Sequence, residues 1–238
     1  MQYTKHIFLS ILLAVVSLSY AQTTTVYHCD FEDDQQNASW VFTSESSIGH
    51  QWTIGQAAHN GGSHGLYVST DRGQQSDYAA TNAIVYAYTD ITVPLDTVLY
   101  TLTFDWIAGG YLSAGIDGLY VAWVPDRDDL GDSIVIKSQG NYVLPNMLVD
   151  YALPINPVAV QTAGVANTSW QVFRSIHTSM YDTRIKADGK HHRLVFAWRT
   201  SSGAVALPGP CVDNIGIFSA SDCGDPYDFK LQPVGEDT

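Results

Sequence analysis

The side chains best able to do chemistry in this chain are carboxylates. Asp213 stands in the run PCVDNIGIF, residues 210–218. Its alternation is that of a strand, with Ile215 and Ile217 on one face and Val212 and Phe218 on the other. Asp213 shares parity with the two isoleucines, so a regular strand aims its carboxylate at the buried side. A buried charge is costly unless it is paired, hydrogen-bonded or metal-bound. Asp213 is therefore either a strand-end residue that caps a turn or reaches water, or a cation ligand. Calcium takes six to eight hard oxygen ligands, so carboxylates from separated segments plus loop carbonyls would suit it. Asp30 in the first strand and Asp71 in the turn Thr70-Asp71-Arg72-Gly73 are further calcium candidates. For Asp71 the competing role is that of a solvated turn cap. Asp105 falls on the polar face of its strand. Asp126, Asp128, Asp129 and Asp132 resemble a calcium loop in composition but lack the spacing and terminal Glu of an EF-hand.

Other chemistries are less well supplied. His59 and His64 share a loop, and His191 and His192 are adjacent, which on a strand sends them to opposite faces. Neither pair has a third ligand at usable zinc spacing. Cys29 beside His28 fails as a dyad for the same reason. Glu32 and Glu45 could serve as retaining-glycosidase carboxylates only if the fold set them about 5 Å apart. Solvent-facing aromatics in loops would mark a carbohydrate site, and Tyr111, Tyr142 and Tyr151 are the candidates, since they belong to no core pattern.

Bulk properties narrow the partners. The chain has 24 acidic residues against 11 basic ones, a formal charge of −13. That argues against nucleic acid or an anionic membrane surface, both of which need a positive footprint. Lys5, the apolar run 7–18 and Ser19-Tyr20-Ala21 read as a secretory leader, residues 1–21, with the mature chain starting at Gln22. The apolar run is short for a transmembrane helix, and no insertion into a membrane is expected. Cys29, Cys211 and Cys223 are odd in number, which in an oxidising compartment leaves one unpaired or paired outside the chain. Asn37-Ala38-Ser39 and Asn167-Thr168-Ser169 match the glycosylation sequon.

The elements that must position these groups are strands. Residues 24–32 alternate with Tyr27, Cys29 and Phe31 on one face. Residues 83–93 place Ile84, Tyr86 and Tyr88 together, and 99–107 place Tyr100, Leu102, Phe104 and Trp106 together. Leu119, Val121 and Trp123 share a face, as do Leu194, Phe196 and Trp198. Aromatic and β-branched residues in this pattern suit the buried face of a sheet. Residues 59–65, HNGGSHG, form a turn cluster. Residues 125–169 break the rhythm as a variable insert, and 180–187 allow one helical turn at most. About ten short strands separated by turn signals point to an antiparallel sandwich or barrel.

The ordered set CDFEDDQQNASWVF, QWTIGQAAHNGGSHGLYVSTDRG, YAYTDITVP, YTLTFDWIAGG, DGLYVAWVPD, HRLVFAWRT and CVDNIGIF spans residues 26–219. It resembles the MAM-like jelly-roll domains of the cleaved-adhesin and choice-of-anchor J group of secreted Bacteroidetes proteins, found also in the adhesin regions of gingipains. The resemblance implies an all-β, two-sheet antiparallel jelly-roll β-sandwich whose first and last strands lie close together. It implies a non-catalytic adhesion or binding module, often with structural calcium. By motif it sets the acidic residue of the opening FE at Glu32 and that of the closing DNI at Asp213, the leading pair of calcium ligands and a clasp between first and last strands. The insert departs from the recurring pattern. The expected organisation is a leader at 1–21, a binding domain at 22–221, and a tail at 222–238 that resembles the opening of a fibronectin type III module. The expected partner is an extracellular protein or a glycan, in the latter case with the chain as a carbohydrate-binding module, and the expected location is secreted or at the cell surface.

Overall fold

The computed structural model describes residues 24–43, 49–110, 117–125, 169–175, 184–200 and 202–219. Their strands are β1 (Thr25–Cys29), β2 (Val41–Thr43), β3 (Gln51–Gly55), β4 (Gly65–Ser69), β5 (Ala83–Thr92), β6 (Leu95–Ile107), β7 (Gly118–Pro125), β8 (Gln171–Arg174), β9 (Ile185–Asp188), β10 (His191–Thr200) and β11 (Cys211–Ser219). A single turn of helix, α1 (Asp34–Asn37), lies in the acidic turn after β1. Among the described residues no helix is long and apolar enough to cross a membrane. Residues 185–188, allowed a helical turn by their pattern, pair instead with β6.

The strands form two antiparallel sheets. One runs β3-β4-β11-β6-β8, with β1 pairing β11 and β9 pairing β6; the other runs β2-β5-β10-β7. The order β4-β11-β6-β8 facing β5-β10-β7 is the nested order of a jelly roll. It brings β1 against β11, with Cys29 opposite Ile215, so first and last strands adjoin as expected.

Alternation fills the space between the sheets. Leu102, Phe104, Trp106, Val212, Ile215 and Ile217 face inward from one sheet; Leu119, Val121, Trp123, Leu194, Phe196 and Trp198 face inward from the other. Aromatic rings bridge the layers in series, with centroids of Phe31 and Trp40 at 5.6 Å, Trp40 and Phe196 at 6.1 Å, Phe196 and Phe104 at 5.1 Å, and Phe104 and Phe173 at 4.6 Å. The Trp52 indole N–H donates across the sandwich to the Val85 carbonyl at 3.1 Å. Cys29 and Cys211 are buried free thiols, and burial pushes both thiols up from their ordinary range.

Two expectations of facing are corrected. On β5 the core takes Val85 and Ala87, which puts Tyr86 and Tyr88 on the outer face. Both residue sets fit an alternating strand, and the β-branched and small pair is what packs under the Phe196 layer. On β11 Asp213 does not share a face with Ile215 and Ile217. The register against β6 slips between Asp213 and Gly216, and Asn214 sits in the left-handed region at φ 50°. One extra residue in a bulge reverses the parity of what precedes it. Val212, Ile215 and Ile217 thus face the core, while Asp213 faces outward.

Phe196 lies at the centre of the aromatic series and is fully buried. Phe196→Ala is expected to destabilise by about 3–5 kcal/mol through lost burial and the cavity left behind. A urea-unfolding midpoint unchanged from wild type would contradict this packing.

Candidate functional site

The outer face of the larger sheet carries two aspartates opposite one another, Asp213 on β11 and Asp105 on β6. Asp213 is 1% exposed. Its Oδ2 accepts from the Asn60 backbone N–H at 2.5 Å and its Oδ1 from the Asn214 backbone N–H at 2.8 Å. Asp105 Oδ2 accepts from the side-chain amides of Asn60 at 2.9 Å and Asn214 at 2.8 Å. The Asn214 amide also donates to the Asn60 carbonyl at 2.7 Å. The bulge that turns Asp213 outward therefore also aims Asn214 at the loop 56–64. Burial, assisted by the Asp105 charge, pushes the Asp213 carboxyl up to about 6 despite the N–H groups that favour its charged form.

Glu32 grips the other end of the same loop. Phe31 takes a left-handed φ of 61°, a conformation that costs a residue with a Cβ about 1–2 kcal/mol. Complete burial of its ring offsets this, at roughly 1.5–3 kcal/mol. The Asn37 amide fixes the turn by donating to the Phe31 carbonyl at 2.8 Å. Glu32 is swung outward, where Oε1 accepts from the backbone N–H groups of Ser63 at 2.6 Å and His64 at 2.7 Å. Oε2 accepts from the Ser63 hydroxyl at 2.7 Å and faces His64 Nδ1 at 3.4 Å. These donors hold the Glu32 carboxyl down at about 2. Gly62 is required beneath it, since a Cβ there would stand 2.3 Å from Oε1.

Glu32 and Asp213 thus meet one loop, as a clasp between first and last strands, through N–H and O–H donors. Glu32 so placed directs both of its oxygens to hydrogen bonds with the loop. Asp30 and Asp71 are not brought to it. Asp30 Oδ1 accepts locally from the Glu32 N–H at 3.2 Å. Asp71 Oδ1 caps its own turn, accepting from the Ser69 hydroxyl at 2.7 Å and the N–H groups of Gln74 and Gln75 at 2.9 and 3.0 Å. Among the described residues no three His, Cys, Asp or Glu side chains converge on one metal position. Tyr111, Tyr142, Tyr151 and the insert's acidic cluster lie outside the described residues.

The clasped loop is one wall of a groove of about 670 Å³, within the range of ligand pockets. Ala57, Ala58 and His59 form that wall. Ile107 and Trp170, Gln74, Gln75 and Ser76 of the turn after β4, and Leu207 and Pro208 complete the lining. Trp170 and Ala58 pack on a small outer-face cluster of Tyr67, Ile107 and Cys211. The Tyr67 hydroxyl ties two walls together, donating to the Gly73 carbonyl at 2.5 Å and accepting from the Ala57 N–H at 3.3 Å. Asp77 secures the turn further through the N–H and hydroxyl of Thr70, each at 2.7 Å. The segment 206–208 is docked by backbone, with Gly109 donating to the Pro208 carbonyl at 2.6 Å and Gly110 to the Ala206 carbonyl at 3.0 Å. Gly109 admits this approach only because a Cβ would stand 1.9 Å from the Ala206 oxygen.

Sequence reasoning missed Trp170, Leu207 and the two glutamines as neighbours, since they come from three separate connections. Only the aromatic character of Trp170 next to a loop carried any signal.

No protein-family model and no curated protein matches the chain. Among solved structures it is similar to the K1 cleaved adhesin domain of Lys-gingipain from Porphyromonas gingivalis W83, at 16% identity over 82% of this chain and 97% of that one, TM-score 0.44. It is similar to TmCBM61 in complex with β-1,4-galactotriose, at 11% identity over 77% and 90% of the two chains, TM-score 0.40. It is also similar to the CBM22-1 xylan-binding domain of Paenibacillus barcinonensis Xyn10C, at 11% identity over 82% and 94%, TM-score 0.40.

The two clasp carboxylates act oppositely with pH. Asp213 has a folded value above its ordinary 3.8, so stability falls as pH rises from about 4 to about 6. Glu32 has a folded value below its ordinary 4.5, so its stabilisation is complete above about 4.5 and is lost as pH falls towards 2. In urea midpoints measured from pH 2 to 7, Asp213→Asn is expected to flatten the upper window and Glu32→Gln the lower one. Parallel profiles for all three proteins would show that the carboxylates do not hold the loop.

Proposed function

We propose that this chain is a non-catalytic binding module, secreted or displayed at the cell surface, for an extracellular glycan or protein. The observation that carries this reading is the open groove built on fixed walls. Each wall is held from behind by groups that the ligand need not touch: Glu32, Asp105 and Asp213 behind the loop, Asp71 and Asp77 behind the turn, and Gly109 behind residues 206–208. A surface already held in its binding shape loses little conformational freedom when a ligand arrives. Leu207 at 55% exposure and the half-buried Trp170 offer apolar contact at its rim.

Of the two carboxylates that a hydrolytic reading would need, Glu32 is engaged in holding backbone, and Glu45 lies outside the described residues. Both Glu32 oxygens accept from Ser63 and His64, a holding role that supports binding without turnover. The leader-like residues 1–21 and the acidic composition support an extracellular setting. The clasp closes through N–H donors in this reading, so calcium is not required for folding.

The purified protein is expected to be retained by members of a panel of immobilised glycans and extracellular proteins, without releasing products from any of them over hours. Excess chelator is expected to leave the melting temperature unchanged. Product release, abolished by substitution of one carboxylate, would overturn the non-catalytic reading.

A further inference from the structure

The chemistry of the groove says what class of ligand it takes. Resting on the binding-module reading above, we infer that the groove binds a neutral saccharide, with Trp170 as the platform for a sugar ring and Gln74 and Gln75 as the groups that read its hydroxyls. The first argument is charge. The chain carries 24 acidic and 11 basic residues, yet among the described residues no Asp, Glu, Lys or Arg lines the groove. The aspartates nearest to it, Asp71, Asp77, Asp105 and Asp213, accept hydrogen bonds from their own turns and loop. Among that described lining a cationic ligand would find no carboxylate, and an anionic one no Lys or Arg.

The second argument is the kind of polar group on offer. A peptide lying in a groove is held mainly by backbone N–H and C=O groups of an open strand edge. Here three carbonyls of the lining are already engaged: Ala58 by the Cys211 thiol, Ser76 by the Gly209 N–H and Pro208 by the Gly109 N–H. What the turn presents instead are the exposed side chains of Gln74 and Gln75. A primary amide offers a donor and an acceptor side by side, which matches two neighbouring hydroxyls of a sugar. The Gln75 backbone N–H donates to Asp71 Oδ1 at 3.0 Å, which fixes where its side chain leaves the turn. His59 lies across the groove, its Nδ1 3.0 Å from the Gly61 carbonyl. Because a carbonyl can only accept, Nδ1–H is the donor in that contact.

The third argument is the aromatic plate. A pyranose buries a face of C–H groups while its hydroxyls stay at the rim, so it needs one flat apolar surface bordered by amides. Trp170 is half-buried and braced by Ala58 and the Tyr67, Ile107 and Cys211 cluster, so its ring is set before the ligand arrives.

The test is calorimetric and fluorescence titration of the whole protein with neutral gluco-, xylo-, manno- and galacto-oligosaccharides, a uronic-acid oligosaccharide and a proline-rich peptide. At least one neutral oligosaccharide is expected to bind and to perturb tryptophan emission, with an affinity unchanged between low and high salt because no charges are engaged. Trp170→Ala is expected to weaken it by about tenfold or more, the scale of a lost aromatic contact. Gln74→Ala combined with Gln75→Ala should do likewise, while Trp170→Phe, which retains a plate and the packing beneath it, should lose less. Neutral-saccharide binding untouched by these substitutions in proteins of wild-type melting temperature would overturn the site and leave the binding-module reading standing. Binding confined to the uronic-acid oligosaccharide or to the peptide would overturn the ligand class. Retention of nothing from these probes or from the immobilised panel would overturn the binding-module reading itself.

Discussion

Two carboxylates facing each other on a sheet must be given donors or they push the sheet apart. Asp213 and Asp105 receive theirs from Asn60 and Asn214, and through Asn60 they take hold of the loop 56–64. Satisfying a buried charge here therefore has a structural by-product, the fixing of a surface loop 153 residues distant in sequence. Glu32 repeats the device at the far end of the same loop. The groove exists because those three acids are satisfied by backbone and amide groups.

The jelly-roll order makes that economy possible. Nesting β4 and β1 against β11, and β11 against β6, brings the three acids to one region of one sheet, although they come from residues 32, 105 and 213. The inner face of that sheet is filled by aromatic and branched side chains, so its outer face can carry charge at no cost to the core. The fixed loop, the capped turn and the docked 206–208 segment then line the groove together with Ile107 and Trp170. Each supporting interaction lies outside the groove, which leaves its lining neutral and open to variation.

Most of the sandwich was legible in the sequence. Period-two alternation located the long strands and the inward sets on β6, β7 and β10, because those strands are regular. It failed where regularity fails. The bulge at Asn214 reversed the facing of Asp213, and a left-handed Asn within a strand leaves no mark on the hydrophobic pattern. On β5, two alternating sets both looked apolar, and the tyrosines were assigned to the core that Val85 and Ala87 occupy. The pairing of Glu32 with Asp213 followed from family resemblance, and both do reach one loop. What they grip there, the N–H groups of Asn60, Ser63 and His64, is a matter of loop conformation that composition does not encode. The groove was invisible for the same reason, since its lining residues become neighbours only after four connections have been fixed.

The account turns on the claim that carboxylates hold the loop through those backbone N–H groups. Amide hydrogen exchange measured residue by residue reports on them directly. The N–H groups of Asn60, Ser63 and His64 are predicted to exchange slowly for an exposed loop. Glu32→Ala should release Ser63 and His64 while leaving the strand amides of β6 and β11 protected. Fast exchange of all three in the wild-type protein, or protection that survives Glu32→Ala, would contradict the clasp.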